Sequence, residues 1–356
     1  MSIAMNKPEV ADTADVLNTS APANSIEFAQ RVASQYYGIE ATASLLACER
    51  DQIFLLKNAS GERFVLRFTN PAEDRLIANF QTAAMLHVAQ VDSELPLPRI
   101  VKSIDHQNEI LVEMENGQTS LVRVISFLDG QTLSKVTTRS TEQRREIARC
   151  LARLDLALRG FFHPAAGHKI LWDLKHAAEL RELFSYIDDV EVRALASNGL
   201  DAFEQYVVPV MPKLRGQVIH NDLNFSNVMV DSQDHCKISG VIDFGDMVYA
   251  PLINELAVAA SYQLDESDDP LSTVAEFVAA YHQVVPLEQA ELEVLYDLIV
   301  ARLVMTVAIT EYRAKRYPHN RDYILRNNPA AVRGLQRLAR IGREQGRNTL
   351  LKACLS

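Results

Sequence analysis

Cysteine is scarce in this sequence, and the cysteines that occur follow no recognisable spacing. Four are present among 356 residues, at positions 48, 150, 236 and 354. They show neither the close pairs of a zinc site nor the regular pattern of a small disulfide-stabilised domain. The sequence therefore predicts reduced, buried thiols and a cytoplasmic protein.

Positive charge and long apolar runs are also in short supply. The 36 Lys and Arg against 46 Asp and Glu give a formal net charge of −10, whereas nucleic-acid binding needs a basic surface. The best apolar stretch, residues 298–309, is interrupted by Arg302, and residues 1–22 lack the basic start and apolar block of a secretory signal. We therefore expect neither a nucleic-acid nor a membrane partner.

The chain does have enough apolar residues for a large core. Hydrophobic residues make up 48% of it, and a chain of this length is expected to form two lobes. Residues 1–24 are polar and small and are predicted to be a flexible tail. Residues 25–128 carry strand-like runs, while residues 129–356 read as mostly helical with the catalytic loop and acceptor site. The predicted fold class is α+β.

A motif that carries chemistry lies between residues 218 and 246. His220 and Asp222 form a His-x-Asp pair, and Asn227 follows five residues after Asp222. A strand-turn-strand hairpin then leads to Asp243, which is followed by Phe and Gly. This order and spacing is typical of kinase-type phosphoryl transfer. Because the elements occur in the right order and are joined by a hairpin, a chance match is not favoured.

These residue types suit phosphoryl transfer. The transferred group carries dense negative charge, and the Mg²⁺ that neutralises it prefers oxygen ligands. Asp243 and the amide oxygen of Asn227 are predicted to hold Mg²⁺, with two ions expected. Asp222 is predicted to be the catalytic base that takes the proton of the acceptor hydroxyl. His220 is predicted to brace the loop.

The motif resembles that of a known family. The run from His220 to Asn224, together with residues 242–246, resembles the aminoglycoside phosphotransferase and choline kinase superfamily. Residues 41–52 and 239–247 are similar to its hydroxylysine kinase branch. The resemblance covers about residues 25–345 and implies a bilobal protein-kinase-like fold, with a small antiparallel-sheet N-terminal lobe and a larger, mostly helical C-terminal lobe. It also implies a small-molecule kinase that uses ATP or GTP.

Nucleotide contacts are predicted in the N-terminal lobe. Val65 and Arg67 share one face of a strand that in kinases usually ends in lysine, so Val65 is expected under the purine and Arg67 at the phosphates. Lys57 is an alternative cation, although its place beside a turn favours solvent exposure. The loop 48–52 lacks the usual glycines; Arg50 is expected to contact phosphate there, and an ordinary polar turn is the alternative reading.

A helix and a hinge complete this region. Asn70-Pro71 is predicted to start a helix that places Gln81, rather than a glutamate, in its middle, so the usual lysine–glutamate ion pair is predicted to be missing. The lobe hinge is expected to bind the purine through the backbone of Ser126, Phe127 and Leu128. Packing of Phe127 in the core is the alternative.

A polar stripe on a late helix indicates an acceptor site. At helical spacing within an apolar stretch lie Arg302, Thr306, Thr310 and Arg313. A buried arginine needs a partner: either a core carboxylate holds Arg302, or Arg302 binds an anionic group of the substrate. The complete set of acceptor-site candidates is Arg302, Arg313, Asp246 and Tyr249.

Two further residues are given structural roles. Glu255, in a helix after the second half of the motif, is predicted to anchor the backbone of the catalytic loop. Trp172 is the single tryptophan; packing is favoured over a place in the substrate wall.

The sequence as a whole predicts an ATP- or GTP-dependent kinase. Its acceptor is predicted to be a small amino-bearing metabolite, such as hydroxylysine or another hydroxy amino acid or amino alcohol. An aminoglycoside, choline or homoserine-type kinase of the same fold is the near alternative. A nucleotide-binding pseudokinase is the alternative from another class: Arg67 and the missing helix glutamate support it, while the intact Asp222, Asn227 and Asp243 oppose it.

Overall fold

The computed structural model of the protein describes residues 19–48 and 50–355. Most of the predicted tail, and Glu49 in the loop 48–52, lie outside the described residues. Asn24, at the end of the predicted tail, is buried, and its backbone N–H and side-chain amide donate to Gln52 Oε1 at 2.8 and 2.9 Å. The chain is therefore held against the first sheet from this residue onward.

Two compact units make up the described chain. The first contains the described residues up to Leu86, together with Pro98–Phe127 and His163–Leu171. The second contains His87–Leu97, Leu128–Phe162 and the residues from Trp172 onward. Two segments are thus grouped differently from the predicted ranges 25–128 and 129–356: residues 87–97 join the second unit and residues 163–171 join the first.

The first unit is an antiparallel sheet with a helix on one face. Helix α1, Ile26–Tyr37, begins at Ser25, whose Oγ accepts the Phe28 N–H at 3.1 Å, and ends at Gly38 with a left-handed φ of 66°. The strands pair in the order β1-β2-β3-β6-β4, with β5 also on β6. Their bounds are β1 Ala41–Leu46, β2 Gln52–Asn58, β3 Arg63–Phe68, β4 Ile100–Val101, β5 Ile110–Glu113 and β6 Thr119–Ser126.

Strand alternation divides the residues of this sheet between two faces. Leu66 and Phe68 of β3 belong to the core that α1 covers. Val65 and Arg67 therefore share the opposite face, as predicted, and they pair in register with Leu55 and Ile53 of β2. Lys57, at the end of β2, is exposed, which agrees with its predicted exposure to solvent.

The helix after β3 begins later than predicted. Helix α2 spans Arg75–Val91, and Asp74 Oδ1 accepts the Leu76 N–H at 2.8 Å. Asn70 instead closes a turn, because its side chain accepts the Ala72 N–H at 3.0 Å. A side chain that bonds its own backbone two residues on competes with helix formation, and this places the cap four residues later.

The second unit is mostly helical. Its short strands form a sheet in which β9, Val228–Val230, pairs with both β7, Gln131–Thr132, and β10, Ile238–Val241, and a ladder of β8, Gly216–Ile219, with β11, Val248–Pro251. The predicted hairpin of β9 and β10 is confirmed. The helices are α3 Thr141–Leu158, α4 Val190–Ala202, α5 Leu252–Ser261, α6 Pro270–His282, α7 Gln289–Arg316, α8 Arg321–Ile324, α9 Asn328–Ile341 and α10 Arg343–Leu355.

Helix α7 is the longest of these, at 28 residues, and it packs against α5, α9 and α10. Its polar residues Arg302, Thr306 and Thr310 are buried, and the two threonine hydroxyls donate to backbone carbonyls one turn earlier. Even so, no helix within residues 19–48 and 50–355 has the combined length and apolar character needed to cross a bilayer.

The cysteine prediction is only partly right. All four cysteines are free thiols, and Cys150 is buried. Cys48 is exposed, so the predicted burial is wrong at this position, which lies in the polar turn between β1 and β2 where no core is available.

A buried acid in the helical unit leads to a stability prediction. Asp155 on α3 is 1% exposed and accepts the Tyr281 hydroxyl at 2.5 Å, and burial raises its pKa well above the ordinary value. The folded protein therefore favours the protonated acid, while the unfolded chain ionises near pH 4, so this residue's contribution to stability falls as the pH rises above that range. Asp155→Asn keeps an acceptor for Tyr281 and cannot ionise.

We therefore expect Asp155→Asn to gain thermal stability over wild type at pH 8 relative to pH 5. Melting temperatures measured at both values, at roughly 2–4 °C per kcal/mol, test this. The exposed Asp105→Asn is the control that should show no such difference. An Asp155→Asn variant that melts lower than wild type by the same amount at both pH values would show that Asp155 is ionised in the fold.

Candidate active site

The loop from His220 to Asn227 joins β8 to β9. The Ile242 N–H at the end of β10 donates to Asn227 O at 2.9 Å, which brings the second half of the motif back to the first. Asn221 and Asp243 have φ of 65° and 64°, a region that non-glycine residues rarely occupy. Such strain persists only where surrounding contacts over-determine it, and it is frequent at functional sites.

Glu255 supplies one of those contacts. It lies fully buried on α5, and its Oε2 accepts the Asn221 N–H at 2.9 Å. This is the predicted anchor of the catalytic-loop backbone. Burial raises the pKa of Glu255 to about 7, and the backbone donors of the loop oppose that rise.

His220 is enclosed within the same loop. Its Nε2 lies 3.1 Å from Ile242 O, its Nδ1 lies 3.3 Å from the Asp222 nitrogen, and its ring meets Phe244 edge-on at 5.0 Å. Burial lowers its pKa, although the nearby Asp243 opposes this. A neutral ring that donates from Nε2 and accepts at Nδ1 satisfies both hydrogen bonds, so the geometry suits bracing better than contact with a substrate.

Asp222 is held by three side chains. Its Oδ1 accepts from Arg302 Nη2 at 3.3 Å, and its Oδ2 accepts from Asn224 Nδ2 at 2.9 Å and from Asn227 Nδ2 at 2.8 Å. The Asp222 side chain keeps 18% exposure. Burial raises its pKa to about 7; Asp246 adds to the rise and Arg302 opposes it. The carboxylate is thus fixed in orientation and titrates near neutral pH.

Arg302 meets neither of the two predicted alternatives. Its carboxylate partner is neither a structural acid of the core nor an exposed substrate group, but Asp222 itself. The side chain is 2% exposed, its Nη1 donates to Trp172 O at 3.3 Å, and its guanidinium lies 4.9 Å from the Trp172 ring centroid. Tyr262 adds another hydrogen bond. Arg302 is therefore placed to act on the substrate through Asp222.

Sequence reasoning missed the roles of Asn224 and Tyr262 around this pair. Asn224 occupies a variable position of the His-x-Asp-x4-Asn pattern, so the pattern alone carried no signal for it. Tyr262 follows α5 and is far from Arg302 in sequence. Trp172 was predicted to pack, and it does, but its partner is Arg302. The tertiary fold, rather than spacing, brings these residues together.

The predicted metal ligands offer hard oxygen donors. The Asp243 side chain is exposed, and its Oδ1 accepts only the Gly245 N–H, at 3.2 Å, among the described residues. Asn227 directs its Nδ2 to Asp222, and no described group donates to its amide oxygen. No three His, Cys, Asp or Glu side chains converge on a metal cage within the described chain. Because Mg²⁺ commonly takes one or two carboxylates together with substrate phosphates, this donor set fits Mg²⁺.

The remaining acceptor candidates are not brought together equally. Asp246 lies close enough to raise the pKa of Asp222, and its carbonyl accepts from Asn221 at 3.2 Å. Tyr249 is 43% exposed on β11, and its ring packs over Gly216 of the paired strand. Arg313 is half-buried, three turns along α7 from Arg302. The structure thus groups Arg302 and Asp246 with Asp222.

The first unit corrects the expected absence of an ion pair. Arg67 pairs with Asp51, which follows the loop between β1 and β2, and the Asp51 side chain is 2% exposed. Arg67 Nη1 also donates to Gln81 Oε1 at 3.4 Å. The prediction sought an acid on the helix and found Gln81, as observed, but the acid comes from the neighbouring strand. The same Gln81 oxygen accepts from Arg123 Nη2 at 2.5 Å.

The other nucleotide candidates have mixed surroundings. Arg50 precedes Asp51, and its charge acts on the half-buried Glu73. The N–H groups of Ser126 and Phe127 already donate within the first unit, to Arg99 O at 2.8 Å and Arg63 O at 3.2 Å. Backbone N–H groups used in this way are not available to a purine. Phe127 is half-buried under the Arg63 guanidinium, 4.3 Å from its centroid, so it is not a core residue.

Leu128 begins the second unit. Its Cδ1 lies so close to Gly240 that a β-carbon at Gly240 would approach it to 2.5 Å. The side chain of Leu128 therefore packs on β10, and only a residue without a side chain fits at position 240.

The Arg67 geometry supports a prediction carried from the sequence. Arg67→Met removes a charge next to the predicted phosphate contacts, and a lost charge-assisted contact of ~1.5–3 kcal/mol corresponds to a roughly 10- to 100-fold fall in kcat/KM for nucleotide. Arg67→Lys should retain part of the activity. Lys57→Met, on the same face but exposed, is the matched control and should be near wild type. Steady-state kinetics decide; a healthy Arg67→Met with an inactive Lys57→Met would reverse the assignment.

Comparison with known proteins agrees with this geometry. The model of the phosphotransferase enzyme family, APH, matches residues 47–295, which is more than half of the chain. The chain belongs to the phosphotransferase enzyme family. Its predicted identity as a phosphotransferase with kinase activity is therefore confirmed.

Relatives of this phosphotransferase chain cover nearly its whole length. It is 29% identical to a hydroxylysine kinase of Danio rerio over 88% of the chain and 91% of the relative, and 26% identical to a hydroxylysine kinase of Xenopus laevis over 92% and 93%. Among solved structures, a microcompartment-associated aminopropanol kinase matches with a TM-score of 0.67 at 18% identity over 93% of the chain and 99% of that structure. The predicted kinase-like fold is confirmed.

Proposed function

We propose that this phosphotransferase transfers the γ-phosphoryl group of ATP or GTP to a hydroxyl of a small amino-bearing metabolite. A hydroxylysine-like hydroxy amino acid or amino alcohol is the leading acceptor class. The near full-length similarity to hydroxylysine kinases supports this class. The observation that carries the proposal is the Asp222 carboxylate, oriented by Arg302, Asn224 and Asn227 and titrating near pH 7.

In this proposal the acceptor hydroxyl donates a hydrogen bond to Asp222. As the hydroxyl oxygen bonds to the γ-phosphorus, Asp222 takes the proton, and the bond from that phosphorus to the bridging oxygen breaks to release the nucleoside diphosphate. A base whose pKa lies near the working pH is well matched to this transfer. Asp243 and Asn227 are proposed to hold Mg²⁺, which when bound neutralises phosphate charge.

The two alternatives are weighed by what surrounds Arg302 and Arg67. A solved amicoumacin kinase with a TM-score of 0.63 shows that antibiotic kinases share the fold, but at 14% identity it supports no acceptor. The pseudokinase alternative rested on a missing ion pair near Arg67. The Arg67–Asp51 pair removes that support.

An acceptor panel tests the proposal. Purified protein is supplied with ATP or GTP, with Mg²⁺ or EDTA, and with 5-hydroxylysine, an aminopropanol, choline, homoserine or an aminoglycoside, and nucleoside diphosphate release is measured. We expect Mg²⁺-dependent turnover that is fastest with the hydroxy amino acid or the amino alcohol. Turnover restricted to the aminoglycoside would refute the acceptor class, and nucleotide binding without turnover of any acceptor would favour the pseudokinase.

A further inference from the structure

A cavity of about 590 Å³ lies in the second unit beside the catalytic loop. Phe225 and Tyr262 form part of its wall, and their rings meet at 5.9 Å. Phe225 follows Asp222 by three residues, a separation of at most ~11 Å along an extended chain. Tyr262 is hydrogen-bonded to Arg302, which contacts Asp222. The cavity is thus one side chain away from the proposed catalytic base.

One cation in this cavity lacks a counter-charge. The guanidinium of Arg139 lies 3.6 Å from the centroid of the Phe225 ring, and its Nε is buried with no hydrogen-bond partner. Within residues 19–48 and 50–355, Arg139 forms no ion pair. The other arginines of the cavity differ, because Arg144 pairs with Glu276 at 2.9 Å and Arg333 with Glu266 at 3.1 Å.

Packing on Phe225 does not account for Arg139. A cation–π contact compensates the face of the guanidinium and contributes ~0.5–2 kcal/mol. It leaves the in-plane N–H donors unused, and a partly buried donor without an acceptor is costly. Burial and the charge of Arg144 both lower the pKa of Arg139, so the site is short of negative charge. A planar carboxylate matches the unused donor fork.

We propose that Arg139 binds the carboxylate of an amino-acid acceptor in this cavity. The inference rests on the proposed function, since it assigns a residue to the acceptor of that reaction. It moves the predicted anion contact from Arg302, whose donors face Asp222, Trp172 and Tyr262, to a cation that has no such partners. The acceptor class becomes a hydroxy amino acid rather than a simple amino alcohol.

The cavity also offers a complement for the amino groups of such an acceptor. Asp265 lines it, and its carboxylate accepts from Ser267 N and Oγ at 3.1 and 2.6 Å, without pairing with a cation in the described chain. A zwitterionic ligand would place its ammonium group against Asp265 and its carboxylate against Arg139. An acceptor with one charge only would use half of the site.

Two matched acceptors test Arg139. Wild type, Arg139→Met and Arg139→Lys are compared on 5-hydroxylysine and on its decarboxylated diamino alcohol. We expect Arg139→Met to raise KM for hydroxylysine roughly 10- to 100-fold, with the KM for the diamino alcohol and for nucleotide unchanged, and Arg139→Lys to fall between. Arg333→Met, a paired arginine of the same cavity, is the control and should leave both acceptors alike. Equal losses on the two acceptors, or none, would overturn the proposal.

Binding separates this inference from the proposed function. If wild type phosphorylates neither acceptor, the proposed function fails on its own terms. Calorimetric titration of hydroxylysine into wild type and Arg139→Met, each with a non-hydrolysable nucleotide and Mg²⁺, then decides the role of Arg139. Weaker binding to the variant supports it, and equal affinity or no binding to wild type overturns it.

Discussion

Replacing Asp222 with alanine should nearly abolish phosphorylation of the acceptor. Loss of a positioned general base typically costs ~10²–10⁴ in rate, and the loss of an oriented acceptor contact adds to that. The carboxylate is oriented at both oxygens, by Arg302 on one and by Asn224 and Asn227 on the other. No other described carboxylate receives this set of hydrogen bonds. We therefore expect turnover to fall by at least these factors, with Mg-nucleotide affinity largely kept.

The measurement pairs single-turnover kinetics with nucleotide titration on the same protein. Because alanine deprives the buried Arg302 of its carboxylate partner, a thermal melt must accompany the kinetics. Asp234→Ala, in the exposed turn between β9 and β10, is a matched control that should retain wild-type rates. A folded Asp222→Ala variant that turns over its acceptor at the wild-type rate would remove Asp222 from the mechanism.

The motif-bearing segments were predictable because their geometry is local. A strand, a loop of fixed length and a hairpin determine where Asp222, Asn227 and Asp243 lie, and the sequence carries each of these signals in order. Strand alternation likewise placed Val65 and Arg67 on one face. These features need only short-range rules of backbone geometry.

The partners of buried charges were not predictable in the same way. Arg67 finds its acid on a neighbouring strand rather than on the helix, and Arg302 finds Asp222 from 80 residues away. Periodicity showed that Arg302 would be buried and would need a partner, but it could not say which carboxylate the fold brings to it. Pairings between distant segments depend on tertiary packing, which a single sequence does not display.

Arg302 carries the second large expected effect, and the pairing changes what is expected of it. Its charge opposes the rise in the pKa of Asp222 caused by burial and by Asp246. Arg302→Met should therefore raise that pKa further above about 7, which leaves less of the ionised base at neutral pH. Each pKa unit is a roughly tenfold change in population, so we expect kcat/KM at pH 7 to fall more than tenfold and to recover in part at pH 9.

A pH profile distinguishes this positioning role from direct acceptor binding. If Arg302 acts through Asp222, the rise of kcat/KM with pH moves to higher pH in Arg302→Met and is partly restored in Arg302→Lys, which keeps the charge. Arg313→Met makes the same substitution on the same helix, away from Asp222, and should leave the profile in place. A folded Arg302→Met variant with an unshifted profile and a raised acceptor KM would instead assign Arg302 to the acceptor. That result would compete directly with Arg139 for the carboxylate, so the two variants are best measured on the same pair of acceptors.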